Sequence, residues 1–119
     1  LSFETICFVK DAIFHSKAIE AFRAFPSDVR KELGEAIRSL QRGLNLGMPL
    51  SRPMPTVGVG ASELRVRDRS GIYRSFYYTK SRRGVLIFHA FVKKNQKTTK
   101  RDIELGKLRL REMLYEEKE

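Results

Sequence analysis

The apolar positions of the chain change period partway along. From Phe14 to Leu44 they recur at helical spacing, and from Leu64 onward they alternate with polar residues. Ahead of both, "SFETICFVK" is rich in aromatic and β-branched residues and predicts a short opening strand. Phe14, Ala18, Ala21, Phe22 and Phe25 predict a first helix, with His15 at the border of its stripe. Pro26 interrupts and restarts the chain, because proline suits an early helical position. Val29, Leu33, Ala36, Ile37, Leu40 and Leu44 then form a second stripe, with Arg30, Lys31, Arg38 and Arg42 off it and Gly43 as the stop. Two stripes joined by a short turn predict a helical hairpin lying on a flat surface.

That surface follows in the sequence. Residues 45–61, "NLGMPLSRPMPTVGVGA", read as a long loop. Strands are predicted at about 62–68, 72–80 and 84–92, joined by the glycine-bearing connections "RSG" and "SRRG" of an antiparallel meander. Thr98 or Thr99 caps a last helix running to about Tyr115. Ile103, Leu110 and Leu114 share one side of it, for docking on the domain; Leu105, Leu108 and Tyr115 share nearly the opposite side. The fold class is α+β, and residues 1–119 make one domain, since a chain this long builds a single core.

Composition narrows the function. A hydrophobic fraction of 41% fits a globular chain. "VLIFHAFV" is too short to span a bilayer, and no signal peptide opens the sequence. A single cysteine, Cys7, reads as packing and suits a reducing cytoplasm. With only His15 and His89 beside it, no ordinary structural zinc site is available, and no cofactor is expected.

Charge changes the picture most. Residues 1–64 hold 8 Lys/Arg against 7 Asp/Glu, residues 65–111 hold 15 against 3, and residues 112–119 hold 1 against 4. So concentrated a field favours a polyanion, most simply nucleic acid, over an anionic membrane, because the cations fall on strands and not on one amphipathic helix.

In "ELRVRDRSGIYR", Leu64 and Val66 point toward the helices, and Arg65, Arg67 and Arg69 point away. Arg74, Phe76 and Tyr78 are placed on the same arginine face, since a central arginine avoids burial under helices. Guanidinium forks would hold phosphates there, while Phe76, Tyr78 or Phe91 stack on bases. Lys93, Lys94, Lys97, Lys100 and Arg101 extend the surface. Such a face suits metal-free RNA cleavage by the 2′-hydroxyl, with cations stabilising the phosphorane. His89 is either a hydrogen-bonded core histidine or a proton shuttle, and alternation does not settle which face it joins. Asp68, Asp102 and Glu104 read as turn and helix-start residues. "VGVGAS" is no phosphate loop.

The series "AFPSDVRKELGEAI", "RPMPTVGVGASELRVRDRSGIYRSFYYTK" and "VLIFHAFVKKNQKTTKRDIELGKLRL" resembles the phage-derived HigB-type branch of the RelE/ParE toxin superfamily. The resemblance covers about residues 22–111, and its most specific pieces are "ELR…YR…Y" and "HAFVKK…KT…DIELG". A proline often follows the threonine of "KT"; here Thr99 stands in its place. The resemblance implies a RelE-like fold: two N-terminal helices packed on a twisted antiparallel sheet of about four strands, with a C-terminal helix. It also implies the toxin of a type II toxin–antitoxin pair, cutting mRNA on the ribosome without a metal. Its partner would be a HigA-like antitoxin with an Xre-type helix-turn-helix, through which alone the complex meets operator DNA. By position, Arg74 matches an active-site arginine, Arg65 and Arg67 a basic strand at the site, and Lys93 or Lys94 a further catalytic cation. Replacing Arg74 by alanine is then expected to abolish toxicity and leave the fold intact. Two other classes stay open: a ParE-like inhibitor of DNA gyrase and a non-catalytic RNA-binding module.

Overall fold

Pro26 is the N-cap of a helix that buries one face completely. The computed structural model describes residues 9–94 and 97–117, so Cys7 and most of the expected opening strand lie outside the described residues. The chain forms β1 (Ala12–Phe14), α1 (Ser16–Arg23), α2 (Ser27–Gln41), β2 (Ser51–Pro53), β3 (Ala61–Asp68), β4 (Gly71–Ser81), β5 (Gly84–Lys93) and α3 (Lys100–Glu117). In α2, Val29, Leu33, Ala36, Ile37 and Leu40 are buried, and Asp28 in the first turn complements the helix dipole. The helix ends at Gly43, whose φ of 85° lets its N–H reach Leu40 O at 3.0 Å while Leu44 N–H reaches Ser39 O at 3.1 Å. Leu44, past this stop, is exposed.

The sheet has five strands in the order β1-β5-β4-β3-β2, with β1 parallel to β5 and every other pair antiparallel. The expected all-antiparallel sheet of about four strands is therefore corrected at both edges. Phe14, expected in the first helix, belongs to β1, and His15 caps α1, its Nδ1 accepting Lys17 N–H at 3.1 Å. The expected loop of residues 45–61 contains β2, whose Pro53 is tolerated because an edge strand can spare an N–H. Three-residue strands show too few alternations to stand out from neighbouring turns and helices.

Two cores flank the sheet. Leu64, Val66, Tyr73, Tyr77, Val85 and Ile87 meet α1 and α2 on one face. Phe76, Leu86, Phe88 and Phe91 meet Met54, Val57 and the Leu110 and Met113 of α3 on the other. Gly106 brings α3 close: a Cβ there would stand 2.7 Å from a Phe76 ring carbon. Leu108 and Tyr115 remain exposed on the far side of the helix. No helix among the described residues is long and apolar enough to cross a membrane.

Candidate nucleic-acid interface

Strand register builds the site. Arg65 pairs with Arg74 and Arg67 with Ile72 across β3 and β4, while Arg74 pairs with Phe91 and Ile72 with Lys93 across β4 and β5. The α3 face thus carries the row Arg67–Ile72–Lys93, then Arg65–Arg74–Phe91, then Glu63–Phe76–His89. Arg74, Phe76 and Tyr78 do share the face of Arg65 and Arg67.

The β4–β5 register shifts twice, between Tyr78 and Ser81 near the hairpin end and between Phe76 and Tyr77 beside the site. The pairing jumps from Phe76↔His89 to Tyr77↔Ile87, so Phe88 is an extra residue in β5. The bulge turns both Phe88 and His89 toward α3. His89 Nε2 lies 3.0 Å from Asp102 Oδ1, and its Nδ1 lies 2.8 Å from an Arg109 guanidinium nitrogen. A guanidinium only donates, so Nδ1 accepts and the ring proton sits on Nε2, directed at Asp102. Burial lowers the His89 pKa and Arg109 adds to this, outweighing the opposing bond to Asp102. Stacked on Phe91 with ring centroids 4.7 Å apart, the ring is neutral, buried and engaged at both nitrogens. The proton-shuttle reading is corrected accordingly: no nitrogen of His89 faces a ligand in this conformation.

A second cluster surrounds Glu63, which is fully buried. Its carboxylate lies 3.1 Å from Arg52 Nε, 3.6 Å from Arg65 Nε and 3.6 Å from Arg74. Thr98 donates to it at 3.1 Å and accepts from Arg74 at 2.6 Å. Arg74 itself is 0% exposed. Its burial beneath Thr98 overturns the expectation that a central arginine stays open, because Glu63 supplies the countercharge that burial requires. Burial lowers the Arg74 pKa, against the pull of Glu63. With Arg74 buried, Arg74→Ala is instead expected to weaken the fold, since it would leave Glu63 short of a buried partner.

The remaining cations are accessible to different degrees. Arg65 and Lys93 are part-exposed, and Arg67, Arg69, Lys94, Lys97, Lys100 and Arg101 are exposed. Arg67, Arg69 and Lys94 line one groove beside the β3–β4 turn. Asp68 pins that turn, accepting from the Ser70 hydroxyl and N–H at 2.7 Å each, bonds that hold its carboxyl below the usual range. Lys93 Nζ lies 3.1 Å from Asp102 Oδ2.

The aromatic expectation is corrected. Phe76 is wholly buried against Phe88, Phe91 and α3, and Phe91 is nearly so, leaving neither free to stack on a base. Tyr78 keeps an open edge, but in a groove with Val59, Leu110 and Tyr115. It sits four residues along β4 from Arg74, about 13 Å away.

Residue pattern alone missed Glu63, Arg52, Thr98, Asp102 and Arg109. Glu63 had one visible mark: it is the single acid in register with the arginines of "ELRVR". Asp102 was hidden by its second role in the first turn of α3, where Thr99 is the cap, its hydroxyl accepting Asp102 N–H at 3.3 Å.

Comparison with known proteins agrees with this architecture. The model of the phage-derived Gp49-like family (DUF891) matches residues 20–111. Among solved structures, the isolated Escherichia coli RelE toxin superposes with a TM-score of 0.51 at 18% identity, covering 74% of this chain and 88% of that one. No curated protein sequence matches. With residues 20–111 matched by the family model, the chain belongs to the phage-derived Gp49-like family, and its fold is RelE-like.

Proposed function

We propose that this protein is the toxin of a type II toxin–antitoxin pair, an endoribonuclease that cuts mRNA on the translating ribosome. One observation carries the reading: strand register aligns Arg67 with Lys93, and Arg65 with Arg74, on one sheet face. Around them stand Arg52, Arg65, Arg67, Arg74, Lys93 and Arg109, against the carboxylates of Glu63, Asp102 and, beside Arg109, Glu112. The local excess of positive charge suits a phosphodiester backbone and the extra charge of its phosphorane.

In this mechanism the 2′-hydroxyl attacks the neighbouring phosphorus and gives its proton to water, and the 5′-oxygen leaves with a proton from water, giving a 2′,3′-cyclic phosphate and a 5′-hydroxyl. Arg65 and Arg67 hold the phosphates, and Arg74 adds its field from beneath Thr98. Lys93, 3.1 Å from Asp102, stabilises the departing oxygen by its positive charge. Charge stabilisation by these side chains needs no metal. Arg69, Lys94, Lys97, Lys100 and Arg101 widen the basic surface toward ribosomal RNA. The proposed antitoxin is HigA-like, with an Xre-type helix-turn-helix that carries the complex to operator DNA, and the site of action is the cytoplasm.

The test is cleavage of a defined mRNA on programmed ribosomes by wild type and by Arg67→Ala. Arg67 is exposed and its loss should spare the fold, while the rate should fall by roughly 10²-fold. Intact mRNA with wild type, alongside blocked supercoiling by gyrase, would replace this reading with the ParE-like one. Salt-dependent RNA binding with no cut under any condition would leave a binding module.

A further inference from the structure

The carboxylate of Asp102 is out of place in a surface meant to hold anions. It lies beside Lys93, buried, where it opposes the field that attracts phosphate. Starting α3 does not require it there, because the Thr99 hydroxyl caps the helix and Thr99 O accepts Ile103 N–H at 3.1 Å. Its place in the first turn also suits the helix dipole, but neither role accounts for its contact with Lys93.

Asp102 is fixed on several sides at once. Oδ1 takes the His89 Nε2 proton at 3.0 Å, and Oδ2 takes the Thr99 hydroxyl at 2.7 Å. His89 is itself held by Arg109 and stacked on Phe91. Burial raises the Asp102 pKa, yet the bonds from Thr99, His89 and Lys93 together hold it below the usual carboxylate range. The remaining partner is the Lys93 ammonium, at 3.1 Å. Lysine has a long flexible stem, and a fixed carboxylate selects one of its many placements.

We propose that Asp102 is a positioning residue: it fixes the Lys93 ammonium beside the Arg67–Ile72 row, exchanging RNA affinity for placement. The proposal rests on the ribonuclease reading for its consequence but not for its geometry. It makes the first turn of α3 a working part of the site. Anything that unseats α3 from Phe76 then also releases Lys93.

The experiment compares wild type with Asp102→Asn, Asp102→Glu, Lys93→Ala and the double variant Lys93→Ala/Asp102→Asn. Four quantities are read: mRNA cleavage on ribosomes, affinity for a single-stranded RNA oligonucleotide, acylation of Lys93 by an N-hydroxysuccinimide ester, and helix content. Asp102→Asn keeps an acceptor for His89 but loses the charge. It should cut about tenfold more slowly while binding RNA as tightly as wild type or more tightly. Lys93 should be acylated severalfold faster, Asp102→Glu should recover part of the rate, and the double variant should be no slower than Lys93→Ala alone.

Undiminished cleavage by Asp102→Asn overturns the proposal. So does a parallel fall in cleavage, RNA affinity and helix content, which marks a merely structural role; the folded Asp102→Glu then shows whether the charge matters. If wild type cuts no mRNA, the ribonuclease reading fails. Lys93 acylation still decides the geometry, and equal labelling of wild type and Asp102→Asn overturns the proposed hold.

Discussion

Under α1 and α2 the sheet presents Leu64, Val66, Tyr73, Val85 and Ile87 to a continuous apolar stripe; under α3 the same strands present Glu63, Arg65, Arg74 and His89 beside Phe76 and Phe88. The first face, apart from the buried Ser51–Tyr77 hydroxyl pair, needs mainly shape, because apolar burial is non-directional. On the second, each buried charge needs a partner at the right atom. The two faces therefore differ in how they tolerate change. The α1/α2 face answers to volume, and the α3 face to the loss of a single charge or hydrogen bond.

The largest expected effect contrasts one buried side chain from each face. Glu63→Ala should cost about 3–5 kcal/mol, because Arg74 would stay buried without its carboxylate. Leu33→Ala should cost about 2–5 kcal/mol through a cavity under α2. The distinction lies in the kind of rescue: converting both Glu63 and Arg74 to leucine should restore much of the loss, whereas Leu33→Ala recovers only if a neighbour regains the lost volume. Urea titrations measure all three. A Glu63→Ala protein as stable as wild type would remove the electrostatic account of the α3 face.

A smaller effect tests whether the faces unfold separately. Gly106→Ala brings a methyl within 2.8 Å of two Phe76 ring carbons, and overpacking of this kind costs about 1–3 kcal/mol. Amide exchange should accelerate along α3 and stay slow in α2. Uniform acceleration would mean that the two cores form one cooperative unit.

The smallest effect is set by pH. His89 is held below its ordinary value of 6.5, so the unfolded chain takes up this proton first as pH falls. Folding is favoured by the neutral ring at neutral pH, and that contribution is lost as pH drops through 6.5 toward the lower folded value. Urea midpoints should decline on acidification, and His89→Gln should flatten the decline. An unchanged slope in the variant would assign the acid sensitivity to other groups.

How much was legible follows the same division. The α2 stripe, Pro26, Gly43 and the β3–β5 meander could be read directly, since each depends on neighbours within a few residues. The sharing of one face by Arg65, Arg67 and Arg74 was also readable, because alternation carries side-chain direction along a strand. The face of His89 was not, because one inserted residue, Phe88, inverts the parity beyond it. Phe76 and Phe91 read as open stacking rings only while α3 was left unplaced.

By itself, then, the sequence determined the helical hairpin, the meander and a positive field confined to residues 65–111, all set by period, turn chemistry and charge. Only the tertiary structure decided that Glu63 would neutralise buried Arg74, that Asp102 would hold Lys93, and that α3 would close over the aromatic rings. Those pairings join residues such as Glu63 and Thr98, 35 positions apart. No local spacing encodes them, because a buried charge finds its partner through the packing of whole elements.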